Sequence, residues 1–259
     1  MSLTSAYPEL FARHYDSDYE MMRDASGDIG FYGDLARESG GPVLEVACGT
    51  GRVLLPIAEE GYDVTGVDLA PAMLSLFARK LDEGPAEVRD RVTLVEGSFT
   101  KLGCEGPFGF VFSAFRAFQH IETVDEQRRA LTAWGAAVRP GGLVAFDVFD
   151  FNTRHTNLKD SATWFTDYRL QDDGHERQRQ SRARYDADAK LLHASFRWLS
   201  DDDEFGRGDF VMRISTRDEL AQLVTEAGLE LVEIFGEFDR SAWDADRPRE
   251  LVVVARRPG

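Results

Sequence analysis

Apolar positions along the chain follow two successive periods, and the first predicts alternating strands and helices. Short apolar runs bounded by turn residues are typical of buried parallel strands, and they occur at 43–47, 63–67, 91–96, 109–114 and 143–149. Helical spacing separates them at about 52–60, 71–82 and 123–138. Repeated strand–helix units of this length predict a parallel sheet with helices on both faces, which binds ligands at the carboxyl ends of its strands.

After Asp150 the period changes to two, which indicates antiparallel strands. The alternating segments are 164–171, 177–187, 190–200 and 208–215. In the clearest of them, Leu192, Ala194, Phe196 and Trp198 share one face. A helix capped by Ser215 or Thr216 and closed by Gly228 then precedes strands at 230–235 and 250–256. The final helix and strands are expected to complete the parallel core.

The predicted fold is a Rossmann-like three-layer α/β sandwich with a mostly parallel seven-stranded sheet. Residues 1–40 carry aromatic residues at spacings closer to helical turns than to strand alternation, which predicts a helical prelude. We expect the core at 41–150, an antiparallel β insert at 151–215, and a C-terminal helix with two strands at 216–259. The insert is expected either to roof the substrate pocket or to form the contact of a homodimer.

Charge and composition limit the classes of ligand and partner that the chain can be expected to bind. The chain has 259 residues and a formal net charge of −16, which disfavours nucleic acid and anionic membranes as partners and favours a small neutral or cationic substrate. No apolar run approaches the roughly 20 residues that span a bilayer, and no signal peptide is legible, so we expect a cytoplasmic protein. Cys48 and Cys104 are far apart and outside metal-ligand spacing, so neither a disulfide nor a metal site is predicted.

The most informative segment is 43–52, where a strand runs into a turn with Gly49 and Gly51 and then into a helix. Glycine lets a backbone turn sharply and approach a ligand. A dinucleotide site would need a third glycine, but position 54 is a leucine. Glu45 would repel a pyrophosphate and suits the ammonium and sulfonium charges of S-adenosylmethionine.

From Glu45 to Gly51 the chain resembles the first motif of class I S-adenosylmethionine-dependent methyltransferases, E/D-x-G-x-G-x-G, with Ala47 in place of the first glycine. The second motif follows at 64–69. The resemblance implies that Asp68, at its strand end, holds the ribose hydroxyls. A third motif at 92–99 implies that Ser98 and Phe99 flank the adenine.

The resemblance implies S-adenosylmethionine as cofactor and S-adenosylhomocysteine as product. The implied cofactor contacts are Tyr15, Glu45, Ala47, Cys48, Gly49, Gly51, Asp68, Leu69, Met73, Ser98, Phe99, Ala114 and Phe115. The prelude at 14–19 and the insert are similar to those of small-molecule N-methyltransferases, including amino-sugar dimethyltransferases. That similarity implies catalytic roles for Tyr15 and His120 and a substrate site formed by Tyr19, Arg116 and His120.

Each of these site residues also has a structural interpretation. His120 can pack among Phe115, Phe118 and Ile121, and the two tyrosines can pin the prelude to the core. Arg116 can pair with a surface acid instead of an anionic substrate group.

The implied activity is methyl transfer to a small amine or hydroxyl, with His120 as the base that a hydroxyl would need. Two alternatives remain. A non-catalytic S-adenosylmethionine-binding protein would carry the same cofactor motifs. A nicotinamide-dependent oxidoreductase would share the fold, but the chain lacks the third glycine and a Tyr-x-x-x-Lys pair.

Overall fold

The computed structural model describes residues 27–151, 163–172, 174–246 and 249–259. Two compact units divide them: a core unit of residues 27–150 with Ser215–Gly259, and an insert unit that spans Phe151–Ile214. Along the described residues the strands are β1 (Val43–Val46), β2 (Val64–Asp68), β3 (Val92–Glu96), β4 (Phe108–Ser113), β5 (Val138–Phe149), β6 (Phe165–Asp172), β7 (His175–Asp186), β8 (Leu191–Ser200), β9 (Asp203–Arg213), β10 (Glu230–Phe235) and β11 (Glu250–Arg256). The α-helices are α1 (Asp28–Ser39), α2 (Leu54–Glu59), α3 (Pro71–Glu83), α4 (Ala86–Arg89), α5 (Val124–Ala137) and α6 (Arg217–Glu226), with a 3-10 helix at Ala117–His120.

The core unit is built on a seven-stranded sheet of order β10-β11-β5-β4-β1-β2-β3. Strands β1 to β5 pair in parallel, and β11 is antiparallel to both of its neighbours. The prediction of a mostly parallel seven-stranded sheet is therefore confirmed. Because the chain proceeds from β1 to β2 on one side and places β4 on the other, the strand order reverses beside β1. Open α/β sheets bind their ligands at such a switch point.

The insert unit contains an antiparallel sheet of order β6-β7-β8-β9. Burial alternates along β8, and the four residues predicted to share a face, Leu192, Ala194, Phe196 and Trp198, are all buried. Phe196 stacks on Phe210 of β9, with ring centroids 4.7 Å apart. The period-two pattern thus predicted both the strand and its buried face correctly.

Local signals also fixed several element ends. The Thr216 hydroxyl accepts from the Glu219 N–H and the Glu219 carboxylate accepts from the Thr216 N–H, which is the predicted capping box, with Thr216 as the cap. Gly228 follows α6 in the left-handed conformation. In the N-terminal region, α1 confirms helix within the predicted prelude from Asp28 onward, and residues 1–26 lie outside the described part.

The start of β5 differs from the prediction. The sequence predicts this strand at 143–149, but β5 begins at Val138. Two distant segments explain this. Val138 pairs with Phe108 of β4. In the C-terminal tail, the Arg257 carbonyl accepts from the Gly141 N–H at 2.9 Å, and the Arg257 N–H donates to the Gly142 carbonyl at 3.0 Å. Pairing with a distant segment therefore extends the strand through residues that locally favour a turn. The pattern also missed α4 and the 3-10 helix, which are four residues each.

No helix in the described ranges is long and apolar enough to cross a membrane.

Candidate active site

The glycine turn lies at the carboxyl end of β1 and has an unusual backbone. Ala47, Gly49 and Gly51 all have positive φ, at 63°, 55° and 83°. A Cβ on Gly51 would lie 2.3 Å from the buried ring of Phe77 in α3, so this glycine is required by packing as well as by conformation. Leu54 is fully buried where a dinucleotide fingerprint has its third glycine, so a side chain fills that helix–sheet contact.

Glu45 lies in β1 just before the turn and is buried. Its Oε2 has no hydrogen-bond partner among the described residues. Burial raises the pKa of this carboxyl well above its ordinary value, an effect that the charge of Arg52 and a hydrogen bond from the Leu54 backbone oppose. A buried polar atom without a partner is rare in native proteins, and a donor on a ligand would satisfy it. The site therefore fits an ammonium group beside Glu45.

Asp68 ends β2 and faces the same turn. Its Oδ2 accepts from the Gly49 N–H and its Oδ1 from the Ala70 N–H, each at 2.8 Å. Burial raises the pKa of this carboxyl, and hydrogen bonds from the backbone of Ala70, Gly49 and Leu69 oppose the shift. Because a carboxylate has about four lone-pair positions, acceptor capacity remains for a ligand hydroxyl. The carboxylate is thus held in the place predicted for ribose binding.

Two of the predicted cofactor residues point their side chains into the core. Cys48 is buried and packs against Gly66 and Leu54, and burial raises the pKa of its thiol well above the ordinary value. Met73 is buried in α3. Any cofactor contact from Cys48 would therefore come from its backbone.

The remaining predicted adenine-side residues lie at strand ends next to Asp68. Leu69 follows Asp68 and is exposed. The Ser98 hydroxyl accepts from the Lys101 N–H at 3.2 Å, and the Phe99 carbonyl accepts from the Trp134 indole at 2.9 Å. The third motif is thus fixed by hydrogen bonds on both of its predicted site residues.

The segment after β4 holds two left-handed residues in succession. Ala114 is buried, and Phe115 and Arg116 both have φ of 61°. Asp147 of β5 is fully buried and holds this segment: its carboxylate accepts from the Phe115 N–H at 2.7 Å, from the Arg116 N–H at 2.8 Å and from the Tyr32 hydroxyl at 2.7 Å. Sequence reasoning missed Asp147 and Tyr32. The available signal was a single aspartate inside the apolar run 143–149.

The guanidinium of Arg116 forms an ion pair within the protein. Its Nε donates to both carboxylate oxygens of buried Glu250 at 3.2 Å, its Nη2 also contacts that carboxylate, and the guanidinium lies 4.9 Å from the Phe149 ring centroid. Ion pairing, one of the two predicted alternatives, is what the structure has, although the acid is buried. The substrate contact of Arg116 stays a prediction, and a substrate anion would have to displace Glu250.

His120 ends the 3-10 helix and is half-buried. Phe118 anchors this helix against Trp134 and Phe146, and the Gln119 side-chain carbonyl accepts from the Phe149 N–H at 2.8 Å. The helix therefore has a fixed place at the carboxyl ends of β4 and β5. The role of His120 stays a prediction, and Tyr15 and Tyr19 lie outside the described residues.

Helix α1 is tied to the site by an ion pair. The Arg52 guanidinium, just after the glycine turn, donates to the Asp28 carboxylate at 2.5 and 3.2 Å. It also lies 5.4 Å from the Phe115 ring centroid. Arg52 therefore connects α1, the glycine turn and the segment after β4.

A mostly parallel sheet has its switch point at β1, and a glycine turn and two carboxylates, the buried Glu45 and the half-buried Asp68, lie beside it. Together they define a Rossmann-like site for a cationic nucleoside cofactor. Comparison with known proteins gives the particular family: residues 43–142 match the family described as methyltransferase domain. Residues 43–142 therefore match a methyltransferase domain, in agreement with the prediction from the glycine turn.

Solved structures extend the likeness over the whole chain. The CcbJ methyltransferase from Streptomyces caelestis matches with a TM-score of 0.84 and 27% identity, covering 100% of both chains. An amino pentose methyltransferase from Micromonospora echinaspora, solved with S-adenosylmethionine bound, has a TM-score of 0.71 and 24% identity over 94% of this chain and 96% of its own. The second match concerns the fold alone.

Among curated sequences, the glycine/sarcosine N-methyltransferase of Parasynechococcus marenigrum is 31% identical over 147 residues, which are 54% of this chain and 50% of that protein. The chain thus spans about half the length of curated relatives such as this one. The comparisons favour a methyltransferase over an oxidoreductase.

Proposed function

We propose that the protein transfers a methyl group from S-adenosylmethionine to a small-molecule amine or hydroxyl. The observation that carries the proposal is the pair of carboxylates on either side of the Gly49 turn, the buried Glu45 and the half-buried Asp68. A pyrophosphate would be repelled there, whereas a cationic amino-acid group and a ribose are chemically matched to the two acids.

The proposed cofactor contacts follow from this placement. Glu45 would accept from the ammonium group through its unpartnered Oε2, and Asp68 would accept from the ribose hydroxyls while Gly49 and Ala70 hold it still. Ser98 and Phe99 would flank the adenine. The backbone from Ala47 to Gly51 would pass close to the ligand, since both glycines lack a Cβ.

S-adenosylmethionine supplies an activated methyl group on a sulfonium. The protein's part in such a displacement is mainly to align the acceptor and to exclude water. The segment from Ala114 to Arg116 would border the reacting centre, with the Phe115 ring as an apolar wall. Predicted partners at the same place are Tyr15 and Tyr19, whose rings could face the cation.

The acceptor decides whether a base is needed. A neutral amine attacks through its lone pair and needs only to be held unprotonated in place. A hydroxyl needs a base, and His120 is the proposed one, since the 3-10 helix fixes it beside the segment after β4. His120→Ala should then reduce turnover of a hydroxyl acceptor and spare cofactor binding, and a fully active variant would return His120 to a packing role.

The insert carries the proposed contact with other partners. We keep both predicted roles for residues 151–215, the roof of the substrate pocket and the contact of a homodimer.

A cytoplasmic location is proposed because Cys48 and Cys104 are both free thiols, which suits a reducing compartment. The net charge of −16 supports a small-molecule substrate over nucleic acid.

Calorimetric titration with S-adenosylmethionine and S-adenosylhomocysteine, with NADH as the control ligand, tests the cofactor. We expect binding of the first two and none of NADH. Asp68→Ala should weaken binding of both by about 2 to 5 kcal/mol, because paired polar contacts in a closed site are lost. Unchanged affinity in that variant would remove Asp68 from the site.

A panel of small amines, amino sugars and hydroxyl compounds tests the reaction, with formation of S-adenosylhomocysteine as the readout. Turnover of an amine or hydroxyl is the expected result. Cofactor binding without turnover of any acceptor would instead identify a non-catalytic S-adenosylmethionine-binding protein.

A further inference from the structure

Phe115 and Arg116 have a backbone that needs support from elsewhere. Left-handed conformation costs a non-glycine residue of order 1 kcal/mol or more, and here it occurs at two bulky residues in succession. Such conformations persist only where the surroundings determine them, and they concentrate at functional sites. This segment is also the one that the proposed function places beside the reacting centre.

The support is the Asp147 carboxylate. Two successive backbone N–H groups, from Phe115 and Arg116, converge on its two oxygens at 2.7 and 2.8 Å. Consecutive N–H groups in a turn form a concavity that binds anions, and here a side chain of the protein itself occupies it. Hydrogen bonds to an ionised acceptor are about twice as strong as neutral ones, so this pair is suited to offset the strain.

The sheet register explains why Asp147 can reach this segment. Phe146 of β5 is level with Ser113, the last residue of β4. Asp147 therefore stands one residue beyond the end of β4, where the chain has left the sheet. Its neighbour on the other side is Val252 of β11, which is apolar, so the carboxylate takes its partners from the segment after β4 and from α1.

The same carboxylate fixes α1. The Tyr32 hydroxyl donates to the Asp147 Oδ1 at 2.7 Å, and its ring stacks on Phe112 of β4 with centroids 4.7 Å apart. Desolvation, and after it the charge of Asp147, raise the pKa of Tyr32 well above its ordinary value, so the phenol stays a donor. One buried acid thus joins β5, the segment after β4 and α1.

We propose that Asp147 is a positioning residue for methyl transfer, which holds Phe115 and Arg116 in the backbone conformation that aligns the acceptor with the methyl donor. This inference rests on the proposed function. Asp147 touches neither ligand in this proposal and acts through the two residues that it holds. Because transfer is accelerated mainly by alignment, loss of this support should appear in kcat and much less in cofactor affinity.

Asp147→Asn is the sharpest variant. The amide keeps the shape and one oxygen, so it can still accept from Tyr32 and Phe115, but its NH2 group would face the Arg116 N–H, a donor against a donor. We expect kcat to fall about 10- to 100-fold, with the dissociation constant of S-adenosylhomocysteine within about threefold of wild type. Amide hydrogen exchange at Phe115 and Arg116 should accelerate in the variant.

Two further variants separate positioning from stability. Thr216→Ala breaks the capping box of α6 and is the control for a general loss of stability. When each protein is assayed at the same interval below its own melting temperature, the kcat of this variant should equal that of wild type. Tyr32→Phe removes one bond to the same carboxylate and leaves both bonds to the segment, so its kcat should fall less than that of Asp147→Asn.

A wild-type kcat in Asp147→Asn, or equal losses of kcat in Asp147→Asn and Thr216→Ala, would overturn the positioning role and leave the proposed function standing. Failure of the wild-type protein to methylate any acceptor would overturn the proposed function, and the inference with it.

Discussion

The buried carboxyl of Glu45 links the stability of the ligand-free protein to pH. Its pKa is raised well above the ordinary value, so the folded state binds this proton more tightly than the unfolded chain does. The resulting stabilisation is present below the unfolded pKa and is lost as the pH rises through the folded pKa. An ionised Glu45 thus lowers the free energy of unfolding, and a bound cation would offset that loss.

Glu45→Gln should therefore stabilise the ligand-free protein and weaken the cofactor complex. Glutamine can keep the hydrogen bond from the Leu54 backbone and has no charge to desolvate. Urea unfolding across the acid to neutral range should show the variant gaining on wild type as the pH rises, while calorimetry shows weaker S-adenosylmethionine binding. Glu230→Gln, in exposed β10, is the control for loss of a surface charge. A variant that loses stability at neutral pH would contradict this account of Glu45.

Ala47 keeps the left-handed backbone of the glycine that it replaces. With φ at 63°, Ala47 carries backbone strain of about 1 to 2 kcal/mol, which glycine would relieve. Glycine also gives the unfolded chain more conformational entropy, which lowers the free energy of unfolding by about 0.4 to 1 kcal/mol. Ala47→Gly should consequently raise the free energy of unfolding by about 0.5 to 1 kcal/mol, measured by urea denaturation. Ala136→Gly, at an exposed position in α5, should lower it by about 1 kcal/mol. A loss at both positions would mean that the turn is not strained.

At the scale of elements, the ion pair between Arg52 and Asp28 attaches α1 to the glycine turn. Asp28 is buried and Arg52 is about a quarter exposed. Removal of one partner from a buried pair leaves a poorly compensated charge, so Arg52→Met should cost about 2 to 4 kcal/mol of unfolding free energy. Asp28→Asn added to Arg52→Met should recover part of that loss, since the remaining charge is gone. If the double variant loses as much unfolding free energy as Arg52→Met and Asp28→Asn lose together when measured singly, the two residues are not coupled.

Element types were predictable wherever the signal was local. The alternation of β8, the apolar runs of the parallel strands and the capping box of α6 each depend on residues a few positions apart, and each was predicted correctly. The start of β5 was not predicted, because Val138 pairs with Phe108 of β4, and Gly141 and Gly142, which favour a turn locally, pair with Arg257. No period in the sequence reports such a distant partner.

The site was predictable in part for the same reason. Glu45, Gly49, Gly51 and Asp68 stand at strand ends in a fixed spacing, so the sequence itself places them together. Asp147 depends on a left-handed segment 31 residues earlier in the chain, and that conformation occurs at non-glycine residues without a sequence signal. An acidic partner for Arg116 was one of the predicted alternatives, but nothing in the sequence identified it as Glu250, 134 residues away.

At the scale of the whole molecule, exposed apolar side chains mark two sheet edges. Phe165 on β6, an edge strand of the insert sheet, is 55% exposed, and Val232 on β10, an edge strand of the core sheet, is 46% exposed. Unprotected edges with apolar side chains are sites where a second chain can add. The edge strand β10 of the core sheet is thus a second candidate for the interface of the predicted homodimer.

The two edges give the dimer prediction a direct test by sedimentation velocity on the full chain. If the insert forms the contact, wild type should sediment as a dimer and Phe165→Glu as a monomer, because a carboxylate placed in an apolar contact must be desolvated without a partner. Val232→Glu places the same charge on a similarly exposed apolar position, and it should stay dimeric. Dissociation by Val232→Glu alone would move the interface to β10. A monomeric wild type would make the dimer prediction wrong and leave the roof of the substrate pocket as the predicted role of the insert.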